Sequence, residues 1–295
     1  MMISIIIPTY KTRGGLVRSV DSVLNQSYQE IEIIVVDDND PLSDFRNQTE
    51  ILMAKYMNNP KVRYLKHEIN KNGAAARNTG IRASKGEYVA FLDDDDEYLQ
   101  TKLEKQLIFL ENHKEFQAVY CRIIEDDKVI NAYPYEGNCL VPLLMERTRM
   151  FTSTLMFRRD ALLSFGGFNE NFFRHQDYDL MVNFFVHGYS IGLVKEPLIV
   201  YSTSGNNRLQ GSKLEDLKTQ YLHQFESVID ELDRSNPGIK DVIIANNYAS
   251  VFVSHLASRH YFDALRVFTL HFFRCPRGFI SYIMNFIRNH IVTFE

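Results

Sequence analysis

Four consecutive acids, Asp93-Asp94-Asp95-Asp96, are the residues of this chain with the clearest chemical potential. Carboxylates packed at short range raise one another's pKa, so such a run is costly without a counter-charge. A hard divalent cation with oxygen ligands removes that cost. Magnesium or manganese would also bridge diphosphate oxygens and neutralise a departing nucleoside diphosphate. The competing reading is a solvated turn in which Asp96 caps the next helix through amides near Leu99–Lys102. Position favours the cation. The run directly follows the apolar segment Glu87–Leu92, so it lies at the carboxyl end of a predicted strand, where open α/β sheets bind ligands.

Other predicted strands end in polar groups along the same edge. The first ends in Pro8-Thr9-Tyr10, where proline leaves a carbonyl free and tyrosine offers a ring for stacking. The second ends in Asp37-Asp38-Asn39-Asp40, and an acid there can accept from a base N–H or a ribose hydroxyl. A third element, Asn72-Gly73-Ala74-Ala75-Ala76-Arg77-Asn78-Thr79-Gly80, has small residues that let a backbone approach closely. Its Arg77 suits a diphosphate or a clustered acid. Each has a structural alternative: Tyr10 as packing, Asp38 as turn chemistry, Arg77 as an internal ion-pair partner.

The elements that must position these groups follow from periodicity. Apolar runs at Ile3–Ile7 and Ile31–Val36, the latter interrupted only by Glu32, suit central strands covered on both faces. Leu16-Val17-Val20-Val23-Leu24 recurs at helical spacing between them, as a parallel crossover requires. Val62–Leu65 and Tyr88–Leu92 are further predicted strands, with a short helix over Ala74–Ala83 between them. The pattern then loosens. Ala118–Ile124 and Thr154–Phe157 read as strands, Asp177–His187 as a helix ended by Gly188, and Ile191–Val194 and Leu198–Tyr201 as two short extended segments around Pro197. Ser202–Ser212 reads as a loop. Beyond it, Leu214, Leu217, Tyr221, Phe225, Val228 and Leu232 form one helix face. Pro237-Gly238 breaks it, and a second helical stretch carries Val242, Ile243, Val253 and Leu256. The expected organisation is an α/β domain over residues 1–212 and a helical region over 213–295.

Taken together, Ser4-Ile5-Ile6-Ile7-Pro8-Thr9-Tyr10, Val35-Val36-Asp37-Asp38, Gly73–Gly80 and Phe91-Leu92-Asp93-Asp94-Asp95-Asp96 resemble glycosyltransferase family 2. The likeness covers roughly the first two thirds of the chain, and four motifs in order make it specific. It implies a GT-A fold, a Rossmann-like, mostly parallel sheet with flanking helices. It also implies an inverting transfer from a nucleoside-diphosphate sugar, expected to be a UDP-sugar, supported by Mn2+ or Mg2+. By the same resemblance Pro8, Thr9, Tyr10, Asp38, Gly73, Arg77, Asp93 and Asp94 face the nucleotide. Asp93 and Asp95 are the two acids of the DxD motif and the metal ligands, with Asp95 foremost and Asp94 near the ribose. Four acids in a row admit a second alignment, shifted by one position.

An inverting transfer needs a carboxylate to take the proton of the attacking hydroxyl, on the face opposite the leaving diphosphate. In the family a glycine-rich turn precedes an acidic pair at a helix start, and the second acid is the base. Gly166-Gly167-Phe168-Asn169-Glu170 and His175-Gln176-Asp177-Tyr178-Asp179 match that layout, with Asp177 in the base position and Asp179 as the fallback. Gln176 replaces the usual glutamate, so Asp177 is expected to ionise more easily, helped by its place in a helix first turn. The histidine that completes metal coordination in many relatives has no counterpart in Tyr201–Arg208. That leaves Asp95, diphosphate oxygens and water, or else Asn206 or Arg208 meeting the diphosphate from a closing loop.

Composition bounds the alternatives. Hydrophobic residues at 45% and charged residues at 24% suit a globular chain of 295 residues, and a net charge of −4 argues against a nucleic-acid partner. Cys121, Cys139 and Cys275 form no ligand pattern and read as small buried hydrophobes. With no signal peptide or spanning stretch of about 18 apolar residues, a cytoplasmic protein is expected, peripheral on the inner face of the cell membrane. From Arg259 onward, arginines interleave with Phe268, Leu270, Phe272, Phe273, Phe279, Ile280 and Ile283, which suits a membrane surface, the catalytic domain or a second copy of the chain as in a homodimer. The expected acceptor is a glycan or lipid-linked molecule in surface polysaccharide (capsule) synthesis. A nucleotidyltransferase with a related acidic site is one alternative. A non-catalytic nucleotide-sugar-binding module is another, disfavoured by the intact Asp177 and acid run. No G-x-G-x-x-G follows the first strand, which argues against a hydride-transferring Rossmann enzyme.

Overall fold

The computed structural model describes residues 1–12, 14–130, 135–148, 150–172, 174–202 and 209–291, with backbone alone at 285 and 288–291. Asn206 and Arg208 therefore lie outside the described residues. The chain packs as two compact units, one of Met1–Leu140 with Thr148–Gly205, the other of Val141–Arg147 with Asn206–Glu295.

The first unit opens with β1 (Ile3–Thr9), α1 (Leu16–Leu24), β2 (Ile31–Asp37), α2 (Asp44–Met53), β3 (Val62–Lys66), α3 (Gly73–Ala83) and β4 (Tyr88–Phe91). These four strands pair in parallel, in the order β3-β2-β1-β4. Helix α2 escapes periodicity because polar residues fill it. Its start is set by Ser43, whose hydroxyl accepts from the Arg46 amide. The β-branched residues of β1 and β2 are buried on both faces, as the apolar runs require. Glu32 survives in that setting because Ser4 Oγ (2.6 Å), the Lys85 amide (2.6 Å) and Arg63 Nη1 (3.1 Å) all donate to it.

The remaining strands turn the sheet mixed. They are β5 (Glu97–Tyr98), β6 (Ala118–Glu125) and β7 (Lys128–Ile130), with α4 (Lys102–Asn112) between β5 and β6. After α5 (Leu140–Leu144) come β8 (Met156–Arg158), α6 (Arg159–Ser164), α7 (Gln176–Val186) and β9 (Ile191–Tyr201). The sheet continues β4-β8-β6-β9-β5, with β7 beside β6 and antiparallel pairing at β4–β8, β6–β8, β5–β9 and β6–β7. Two expectations are corrected. The strand expected over Thr154–Phe157 begins only at Met156, after a 3-10 turn over Thr152–Thr154. The two segments around Pro197 are one strand, whose register against β6 shifts where Pro197 opposes Arg122. Proline cannot donate to the ladder there, so the strand continues through an irregularity instead of ending.

The second unit is helical: α8 (Ser212–Gln224), α9 (Glu226–Ser235), α10 (Ile239–Ala257), α11 (Tyr261–His271) and α12 (Pro276–Ile291). The single helix expected over Leu214–Leu232 is two, α8 and α9, although the amides of Phe225 and Ile229 still bond to Tyr221 and Phe225, so the break is a kink. Its buried stripe is Leu217, Tyr221, Phe225 and Ile229. Ser212, expected at the end of a loop, already begins α8. Within this unit Phe279 is enclosed by Phe252, Phe268 and Phe272 over Ala245 and Ala249. Glu146, beside α5, holds the buried Lys218 of α8 in an ion pair.

Candidate active site at the carboxyl edge of the sheet

The sheet delivers the sequence-predicted residues to one edge. Thr9 ends β1, and its carbonyl accepts the Asp38 amide at 2.9 Å just beyond β2. Its hydroxyl donates to Asp94 Oδ2 at 2.5 Å, tying the first strand to the acid run after β4. Tyr10, one residue past the strand, is 45% exposed and has Lys11 Nζ 4.9 Å from its ring centroid, so its face is available for stacking. Pro8 is half-buried within β1.

The four acids differ sharply in environment. Asp96 is buried and accepts from Ser153 Oγ (2.6 Å) and the Ser202 amide (3.0 Å). It locks the strand end and does not cap a helix, so the solvated-turn reading fails at that residue. Asp94 is spent partly on Thr9. Burial, with Asp95 and Asp93 beside it, pushes its carboxyl up to about 7. Asp95 is also raised, by burial first and then by Asp93, against the pull of Arg18. Asp93 accepts from Arg77 Nη2 at Oδ1 (2.5 Å), and its amide donates to Ser153 Oγ (3.0 Å). Asp95 and the second oxygen of Asp93 are thus the oxygens of the run least used by the protein's own donors. Hard oxygen donors under mutual repulsion fit a divalent cation.

Helix α3 organises the remainder. Asn72 adopts φ 87° and caps the helix, accepting from the Ala74 (2.9 Å) and Ala75 (3.1 Å) amides. The small residues of α3 let it lie close on β1: a Cβ at Gly80 would stand 2.4 Å from Ile6 Cγ2. Gly73 sits against the Arg77 guanidinium, where an added Cβ would meet Nη1 at 3.0 Å. Arg77 bridges two elements, Nη2 to Asp93 and Nη1 to Gln176 Oε1 at 2.9 Å, so the start of α7 is tied to the acid run. Asp177 therefore stands at the same edge, half-buried in the first turn of α7. Burial raises its pKa, and the positive fields of His175 and Arg77 only partly oppose this. Desolvation sets the direction of this shift and acts on top of the charge that Gln176, in place of a glutamate, leaves out. Asp179 points into the buried side of α7.

Asp38, expected at the nucleotide with turn chemistry as its alternative, has its carboxylate engaged by its own loop, and the positioning role of Asn78 escaped the sequence reading. Asp38 is buried, and its carboxylate already meets His67 Nδ1 (2.7 Å), Asn70 Nδ2 (2.9 Å) and the amides of Lys71 and Asn72 (2.8 Å each). It shapes the loop that presents α3. Asn78 clasps the glycine turn before α7, donating to the Phe168 carbonyl (2.8 Å) and accepting its amide (2.9 Å). Gly167 (φ +73°) permits this, since a Cβ there would stand 2.7 Å from Asn78 Oδ1. The partners lie about 90 residues apart, so only the Asn78 side chain's place in a small-residue helix hinted at a role. A cavity of about 570 Å3 lies elsewhere, lined by Gly86, Tyr88, Gln117, Arg158, Arg159 and Tyr189. It borders the opposite, amino end of β4 and contains none of the candidate residues.

Known proteins are similar to this chain in sequence and in fold. A family model described as glycosyl transferase family 2 matches residues 4–180. The chain is 30% identical over 210 residues to the amylovoran biosynthesis glycosyltransferase AmsB of Erwinia amylovora, spanning 67% of this chain and 68% of AmsB. It is 35% identical over 131 residues to WfaP of Escherichia coli, a UDP-Glc:alpha-D-GlcNAc-diphosphoundecaprenol beta-1,3-glucosyltransferase, over 44% of this chain and 49% of that protein. The crystal structure of S. aureus TarS 1-349 in complex with UDP-GlcNAc is similar in fold, with TM-score 0.63 at 18% identity, over 98% of this chain and 81% of TarS 1-349. The sheet is accordingly of the GT-A type. With more than half of its length matched by the family model, this chain belongs to glycosyl transferase family 2.

Proposed function

We propose that this protein transfers a sugar from a UDP-sugar to a glycan or lipid-linked acceptor, with inversion at the anomeric carbon, in surface polysaccharide synthesis. The observation that carries the reading is the double contact of Arg77, which ties the acid run to the helix bearing Asp177. Donor and acceptor chemistry need those two groups on opposite sides of one reacting carbon. The names of WfaP and TarS UDP-GlcNAc support a UDP-sugar, and WfaP supports a lipid diphosphate acceptor.

In this reading Tyr10 stacks on the base, and the Asp38-ordered loop lines the nucleotide with Gly73. Asp94 faces the ribose, and Asp93 with Asp95 would hold Mn2+ or Mg2+. A cation held by these carboxylates would supply charge neutralisation for the leaving diphosphate. Asp177 accepts the proton of the attacking hydroxyl while Arg77 and Gln176 keep its helix in register. The acceptor oxygen bonds to the anomeric carbon as the bond to the diphosphate oxygen breaks, and UDP departs.

A membrane surface is the proposed setting. On α12, Ile280, Met284 and Ile287 are exposed at helical spacing, and on α11 so are Tyr261, Phe262 and Leu265, with Phe262 93% exposed. No described helix is long and apolar enough to cross a membrane. Two arginines of this region are already engaged, Arg266 with Glu215 and Arg274 with Asp241, so apolar insertion outweighs charge in this attachment. The test is direct: purified protein is incubated with UDP-sugars, Mn2+ or Mg2+ and a lipid-diphosphate sugar. The expected products are UDP and an inverted glycoside by NMR. Retention of configuration overturns the inverting assignment, and release of pyrophosphate from a nucleoside triphosphate identifies a nucleotidyltransferase instead.

A further inference from the structure

The turn between α10 and α11 gathers a second set of metal-type ligands, remote in sequence from the acid run. One ligand atom from each of His255, His260 and Asp263 lies within 4.8 Å of the other two. His255 is fully buried, and its Nδ1 has no hydrogen-bond partner among the described residues. A buried ring nitrogen left without a partner is costly and calls for an explanation. Its other nitrogen, Nε2, faces Glu215 Oε2 at 3.3 Å. Glu215 is in turn gripped by both Arg266 Nη atoms, at 2.9 and 2.6 Å, which holds it as a carboxylate that can only accept. Nε2 is therefore the donor, and the ring nitrogen left to act as a ligand is Nδ1. A carboxylate behind one ring nitrogen is the arrangement that orients metal-binding histidines.

The backbone brings the other two ligands up. Arg259 turns the chain at φ 61°, the His260 amide bonds back to the His255 carbonyl at 2.9 Å, and α11 starts one residue later with Asp263 in its first turn. Gly211 leaves room over both rings: a Cβ there would stand 3.3 Å from His260 Nδ1 and 3.6 Å from His255 Nδ1. Two imidazoles and one carboxylate match a zinc-class ion at about 2.0–2.2 Å per bond. Ligands around such an ion stand closer together than 4.8 Å. Since His260 and Asp263 are exposed, their rotation can close the remaining gap around the buried His255.

We propose that His255 Nδ1, His260 and Asp263 bind Zn2+, pinning the α10–α11 turn and leaving a fourth position to water. The full chain, stripped by chelator and kept in excess Mg2+ to occupy hard-oxygen sites, is titrated with Zn2+ against a chromophoric chelator. One equivalent is expected to bind, and Co2+ in its place is expected to show the visible absorption of a four-coordinate nitrogen–oxygen site. His260→Ala and Asp263→Asn alter exposed side chains and are expected to weaken Zn2+ by about ten-fold or more. Glu215→Gln is expected to weaken it by about 10–100-fold through the orientation of His255. Zn2+ is expected to raise the Tm of the unaltered chain more than that of His260→Ala at the same concentration. Failure of the unaltered chain to bind Zn2+, or equal binding by both exposed variants, overturns the proposal. None of these readouts depends on sugar transfer.

Discussion

Asp177 carries the sharpest residue-scale predictions. Replacing it by asparagine keeps its volume and removes the proton acceptor, so Asp177→Asn is expected to lower kcat by about 10²–10⁴-fold while the donor Kd, read by calorimetry, stays put. Asp95→Asn is expected to abolish the metal dependence of nucleotide binding in the same assay. The sign of the pH effect follows from burial. A base works deprotonated, and desolvation raises the Asp177 pKa, so kcat/KM falls about ten-fold per pH unit below a pKa higher than the ordinary aspartate value of about 3.9. Gln176→Glu restores a second carboxylate beside it, and the acid limb is expected to move further toward neutral pH. An acid limb that stays at an ordinary aspartate pKa would remove Asp177 as the base.

At the scale of elements, α3 is the part on which the site depends. Its face on β1 tolerates no side chain at Gly80, where a methyl would overlap Ile6. Gly80→Ala is expected to cost about 1–3 kcal/mol in urea unfolding, and less in a chain that already carries Ile6→Ala, which removes the γ carbons the methyl would meet. Asn78→Ala leaves the buried Phe168 amide without its acceptor, which costs about 1–3 kcal/mol. It also frees the turn that leads into α7, so kcat is expected to fall while the donor Kd holds. Unchanged kcat would mean that α7 is held by Arg77 and Gln176 alone. The order of strands and helices in this half was legible because fully buried strands read as continuous apolar runs and the crossovers repeat every turn. Helix α2 was not, because its register rests on a serine cap and a buried Arg46–Asp37 pair, neither of which leaves an apolar period.

For the molecule as a whole, the test lies in the exposed apolar residues of α11 and α12. Sedimentation with anionic vesicles is expected for the unaltered chain and lost in Ile280→Glu with Met284→Glu, while transfer to a water-soluble acceptor persists. A chain that stays in the supernatant would remove the membrane setting and leave the transferase assignment intact.

Residue order alone determined the parallel α/β half, the strand-end location of Asp93–Asp96 and the resemblance carried by four short motifs, because each depends on local period or on neighbours in the chain. Tertiary structure alone decided how the acids divide their work. Asp96 is consumed by Ser153 and Ser202 and Asp94 by Thr9, whereas no side-chain hydrogen bond among the described residues engages the Asp95 carboxylate. It also decided the role of Asp38 as the organiser of the 70–72 loop, the clasp of Asn78 on Gly167 and the raised pKa of Asp177. Solvation and hydrogen-bond partners come from residues tens of positions away, and neither composition nor spacing encodes which donors a fold brings to a buried carboxylate.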